Sequence, residues 1–153
     1  MDFYGFVKRY VWDENKTPYR TRVVKLTRPQ AQKEIFVYAL FLAILFAVAT
    51  VVFSSETKLA GNYKSLGAAF YSFTVMSAAV IFGVTKHALP AMYCVTAPVA
   101  AFLHIFLTGM NPNLGTLEKA VLLGLCVLWL RYSWRVVGIA TAFPHMPDKP
   151  EGQ

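Results

Sequence analysis

Residues 128–137 read LWLRYSWRVV, an apolar and aromatic run in which two arginines, Arg131 and Arg135, stand four residues apart. They are either functional charges held at membrane depth or the markers of where a span ends, and the choice threads the whole chain. The membrane enters through composition. Of the 153 residues 56% are hydrophobic and only 15% charged, whereas a soluble domain averages about 25% charged because it must cover its surface with polar groups. The charges are also segregated: eight of the fifteen Lys/Arg lie before residue 34, and long charge-free tracts follow. The net charge of +7 then needs no nucleic acid, since a basic cytoplasmic surface with few outer charges produces it.

Three tracts carry no charge: IFVYALFLAILFAVATVVF (35–53), LGAAFYSFTVMSAAVIFGV (66–84) and ALPAMYCVTAPVAAFLHIFL (88–107). As helices each is about 28–30 Å long, the thickness of a bilayer core. A fourth, over 117–134, is interrupted, with only Ala120 to Leu130 uncharged and apolar throughout. If it spans, it supplies about 27 Å and sets Arg131 near an interface, its stem in hydrocarbon and its head among the headgroups. Trp129, Tyr132 and Trp134 then belong to an aromatic belt, and Arg135, one turn on, to the anionic headgroup zone. These five residues are read as interface anchors.

Charge counting gives an independent test. With four spans, the N-terminal segment, Lys86 and the trio Arg131, Arg135 and Lys149 share one side, twelve Lys/Arg against Lys58, Lys64 and Lys119 on the other. That bias places both termini in the cytoplasm. The fold class is therefore an all-α integral membrane protein, a bundle of four transmembrane helices with an N-terminal amphipathic interfacial helix. Residues 1–27 form a cytoplasmic segment, 28–143 the bundle and 144–153 a Pro-rich cytoplasmic tail. The opening MDFYGFVKRYVWDENK lacks the apolar core and cleavage site of a signal peptide, so insertion is expected through the first span. The localisation expected is a bacterial or organellar inner membrane.

Phe3, Phe6, Val7, Tyr10 and Val11 follow the i, i+3, i+4, i+7, i+8 pattern of a helix lying on lipid or on a partner. Pro144, Pro147 and Pro150 repeat at the period of polyproline II, a stiff tail or a second docking segment. Thr27 with Gln30 makes a capping box, so the first helix should begin near Arg28 and stand about 10 Å proud of the membrane.

Within the three spans between Ile35 and Leu107, and from Ala120 to Leu130, no Asp, Glu or Arg occurs, although ion-coupled transporters and proton pumps hold ionisable groups at that depth. No internal repeat and no clustered His/Cys/Glu set is present, so the chain is not read as an enzyme. Small residues instead recur at helical spacing: Ala39, Ala43 and Ala47; Ala68 and Ser72; Ala79 and Gly83; Ala97 and Ala101; Ala120 and Gly124. Such strips let helices approach closely, within the bundle or, for the first span, against a partner helix. Cys94 and Cys126 lie in apolar segments and read as packing thiols.

The leading expectation is a non-catalytic accessory or assembly subunit of a larger inner-membrane complex, respiratory or photosynthetic, with other integral subunits and anionic lipids as partners. The first alternative is a membrane cofactor-binding protein, with His104 as axial ligand and Ala100 one turn before it making room for a haem, a chlorophyll-type pigment or a quinone. Pro98 would kink the third span and open a gap for such a molecule. The second alternative is a small carrier or channel with a polar path built from Ser72, Thr74, Ser77 and Thr96.

Single cysteines introduced at Asn62 and Asn113 should react with an impermeant thiol reagent on intact cells. A cysteine in the C-terminal tail should stay protected until the membrane is opened, and labelling of the tail from outside would overturn the four-span reading.

Overall fold

A computed structural model of the chain describes residues 23, 26–60, 63–108 and 115–148. Among these the chain is helical, without strands: α1 (Arg28–Ala60), α2 (Tyr63–Thr85), α3 (Ala88–Thr108) and α4 (Thr116–Ala142), followed by a 3-10 turn over Phe143–His145. All four are long and apolar enough to cross a membrane, as a multi-pass membrane protein requires. The amphipathic pattern at residues 3–11 and Pro150 lie outside the described residues.

Each helix begins or ends where the local chemistry dictates. α1 starts at Arg28, and the Gln30 side chain reaches back to accept from the Thr27 amide at 3.1 Å, satisfying a donor that the first turn leaves open. α2 stops at Thr85, and Lys86 follows in the left-handed region with φ 57°, its amide donating to the Phe82 carbonyl at 2.8 Å. That is the αL cap that ends a helix. Ala88 opens α3 at once, Pro90 falls in its first turn, and the hairpin is two residues long. At the start of α4 the Gly115 amide donates to Glu118 at 3.0 Å.

α1 and α2 stay together along their length. Gly83 meets Ala39 so closely that a methyl on it would lie 3.2 Å from the Ala39 Cβ. Farther along, the Phe46 and Tyr71 rings meet edge to face, and beyond them Ser65 donates to Glu56. Burial elsewhere is uneven. The buried core gathers Ala31, Ile35, Tyr38 and Leu42 of α1 with Val75, Ala79 and Phe82 of α2, Ala91, Cys94 and Ala97 of α3, and Val136, Ile139 and Ala140 of α4. These are the halves nearest the Lys86 hairpin. In the other halves no residue of α1 over 43–57, of α3 over 99–106 or of α4 over 116–125 is buried. The bundle is packed at one end and open at the other.

The packed end also gathers the chain's start and finish. The Arg28 amide donates to the Pro147 carbonyl at 3.0 Å, and Met146 is buried beside Leu26 within the core. Arg28 and Lys86 both lie over the Phe143 ring. The first turns of α1, expected to stand clear of the membrane, are thus covered by the tail. Residues 143–145 form a 3-10 turn rather than polyproline II, because Met146 and the Pro147 carbonyl are drawn onto α1.

The contact at Gly83 has a measurable consequence. Gly83→Leu should destabilise the bundle by about 1–3 kcal/mol, the usual cost of overpacking. Adding Ala39→Gly should recover part of that loss in thermal unfolding in detergent. Strict additivity of the two changes would show that the helices do not touch there.

Candidate functional site

The polar chemistry of the packed end is organised by α1 and α4. Glu34, 3% exposed, receives Arg135 in a two-pronged contact, Nε to Oε1 at 2.8 Å and Nη2 to Oε2 at 3.3 Å. One turn deeper the Tyr38 hydroxyl donates to Ser133 Oγ at 2.8 Å, and Ser133 in turn donates to the Trp129 carbonyl at 2.8 Å. Tyr38 also meets the Tyr132 ring edge-on at 5.8 Å, and Phe41 meets Trp129 at 6.2 Å. Residue numbers rise on α1 as they fall on α4, an antiparallel register held by charge, hydroxyl and aromatic contacts in succession.

A planar guanidinium matches a carboxylate in two parallel bonds, which adds direction as well as strength. Burial makes the pair demanding. A carboxylate removed from water is tolerated only while its partner is in place, and removing one partner of such a pair costs about 3–5 kcal/mol. The side chain of Arg135 keeps 21% of its exposure, that of Glu34 only 4%. Losing Arg135 is therefore the more damaging change, since Glu34 has less access to water.

The five expected anchors divide. Arg131 and Trp134 face outward, Trp134 with 66% of its surface exposed. Trp129, Tyr132 and Arg135 turn towards α1. Arg135 is thus held by a carboxylate of its own chain. The sequence reading missed Glu34, which stands one residue before the first charge-free tract. A signal was present: Glu34 and Tyr38 are four apart and share one helix face, and Glu34 is the one acid in the basic stretch from Lys16 to the span.

The small-residue strips also divide. Ala39, Ser72, Ala79 and Ala97 are buried within the bundle, and Ala43, Ala47, Ala68, Gly83 and Ala101 are partly so. Ala120 and Gly124 are exposed, and a Cβ on Gly124 would meet nothing within 4 Å. The first span's strip, offered as a partner surface, is therefore turned onto α2, and the outward strip belongs to α4. Cys94 and Cys126 are buried and unbridged.

Two of the hydroxyls proposed for a polar path, Thr74 and Thr96, are engaged between helices. Thr96 donates to the Tyr93 carbonyl and Thr74 to the Tyr71 carbonyl. Tyr71 and Tyr93 must then donate to Thr96 at 2.9 Å and Thr74 at 2.8 Å respectively. Ser77 donates to its own helix at the Phe73 carbonyl. His104 is exposed on the open half of α3, and the described residues contain no group of three or more His, Cys, Asp or Glu able to hold a metal. Pro98 is fully buried. Val95 and Val99 flank it in a shallow groove of about 260 Å³ completed by Met92, Thr96 and Trp134 and lined mostly by apolar side chains.

No protein-family model, curated protein or solved structure matches this chain.

The paired arginines now part company. Arg131→Leu should leave stability within about 0.5 kcal/mol, as exposed substitutions do, whereas Arg135→Leu should cost about 3 kcal/mol. Adding Glu34→Leu to the latter should recover most of the loss. Equal unfolding curves for the Arg131→Leu and Arg135→Leu proteins would exclude the buried pair.

Proposed function

We propose that the chain is a non-catalytic accessory subunit of a larger inner-membrane complex, respiratory or photosynthetic in kind, with both termini in the cytoplasm. The observation that carries the reading is the open half of α4. Leu117, Val121, Leu125 and Leu128 are each more than half exposed, and a groove of about 330 Å³ over Leu117, Glu118, Val121, Leu122 and Leu125 is lined by α4 alone. Lipid covers apolar surface without needing small residues. An outward strip of Ala120 and Gly124 adds the feature by which one helix approaches another closely, since packing rather than hydrophobicity drives association in lipid. The partner supported is thus a transmembrane helix, and the half that would receive it is the half left unpacked.

The alternatives draw less support. A carrier would have to break the Tyr71–Thr96 and Tyr93–Thr74 bonds to free its hydroxyls. A cofactor on His104 would sit on exposed surface, with its far side supplied by another subunit.

Tagged protein purified from its native membrane in mild detergent should elute in an assembly far larger than its own 17.1 kDa. Gly124→Leu should release it as the lone chain without lowering its thermal stability, because position 124 is exposed and a Cβ there meets nothing within 4 Å. Wild-type protein running alone would end this reading.

A further inference from the structure

The packed end carries a second group of charges that the α1–α4 ladder does not use. The Arg28 guanidinium lies 5.7 Å from the centre of the Phe143 ring, and the Lys86 ammonium lies 5.8 Å from the same centre. Two cations on one ring repel, and little nearby offsets them. Asp148 touches Arg28 through a single contact, Nη1 to Oδ1 at 3.1 Å, with 77% of its side chain exposed. The remaining contacts are to carbonyls, Arg28 Nη2 to Pro144 at 3.3 Å and Lys86 Nζ to Val84 at 3.3 Å. Among the described residues no carboxylate pairs with Lys86, and the buried Arg28 Nε has no acceptor.

Lys86 itself is placed at a cost. Its φ of 57° is the left-handed conformation of a helix-ending residue, where glycine is unstrained and a side chain is not. A glycine would end the helix without that strain, and strain retained against the local preference is a pointer to use. Around the cluster the surface is apolar and exposed: Val84 keeps 72% of its surface and Leu89 80%. A ligand with an anionic head and apolar chains fits this setting, and a guanidinium with an unused Nε, with a second cation on the same ring, fits the several oxygens of a phosphate.

We propose that Arg28, Lys86 and the Phe143 ring form a binding site for the phosphate of one anionic lipid headgroup, with Asp148 as a tethered competitor. Asp148 is suited to that part because an exposed single-contact ion pair is weak and displaceable. Movement of the tail away from Arg28 frees Nη1 from Asp148 and Nη2 from the Pro144 carbonyl together. The inference does not depend on the accessory-subunit reading.

The test uses the full chain in nanodiscs of phosphatidylcholine alone or with a minor fraction of phosphatidylglycerol. Native mass spectrometry reads the retained lipid and thermal unfolding reads stability. Wild-type protein should keep one phosphatidylglycerol preferentially. Lys86→Gly should lower that preference about fivefold, the effect of one cation at an anionic surface, while unfolding in phosphatidylcholine stays equal or rises as the strain is removed. Asp148→Asn should raise the preference, which also keeps the proposal testable if the Lys86 variant fails to fold. Retention unchanged in both variants overturns it. Equal stabilisation by inorganic phosphate in phosphatidylcholine discs would overturn the lipid as the source.

Discussion

Glu34 and Arg135 hold α1 and α4 in one register, and the packed end of the molecule depends on that constraint. Neither residue lies at the centre of its span. Both stand at the rim, where a carboxylate can be buried against protein while its partner keeps some access to water. A buried ion pair of this kind is a poor source of net stability, because desolvation offsets most of the attraction. Its contribution is selective. Sliding α1 by one turn away from Arg131 would strand a carboxylate with no partner, so that register is penalised far more than the native one is favoured. Tyr38 with Ser133 and Phe41 with Trp129 follow in the positions that the pair allows.

Why such a device is useful follows from the solvent. In lipid, apolar side chains gain little by leaving hydrocarbon for a protein interior, so Leu and Val do not choose partners. Specificity must come from close-packed small residues or from polar groups with few acceptable partners. The chain uses both, in different places. α1 meets α2 through Gly83 and Ala39, α2 meets α3 through two tyrosine–threonine bonds, and α1 meets α4 through charge and hydroxyl contacts. The tail then closes the packed end over Arg28.

Much of this was legible in the sequence, and the remainder failed for identifiable reasons. Span positions and the start of α1 at Arg28 are local properties, written in hydropathy runs and a capping box. The shared end for Arg28, Lys86 and the tail follows from alternating the direction of four helices, and the ring contacts of Phe143 bear it out. Which face of each helix turns inward was not legible. In a soluble protein the polar face declares itself, but a helix in lipid is apolar all round, so the Ala39 and Ala120 strips look alike while one is buried and the other exposed. Glu34 was hidden by a boundary drawn at the first charge-free residue, and the tail's turn onto α1 is a long-range contact that no local pattern encodes.

The division between the two ends has a dynamic side. Regions with few buried contacts open at low free-energy cost, and those with many open only with the whole fold. Residues 99–106 of α3 and 116–125 of α4 fall in the first class, and the ladder from Glu34 to Trp129 falls in the second. The open halves are therefore free to splay or close around whatever lies beside them while the packed end holds topology and register. Had the charged ladder been placed at the open end instead, closing on a neighbour would have required breaking a buried ion pair. Its position at the rim, beside the hairpin and both described ends of the chain, leaves the uncommitted apolar surface adaptable without putting the fold at risk.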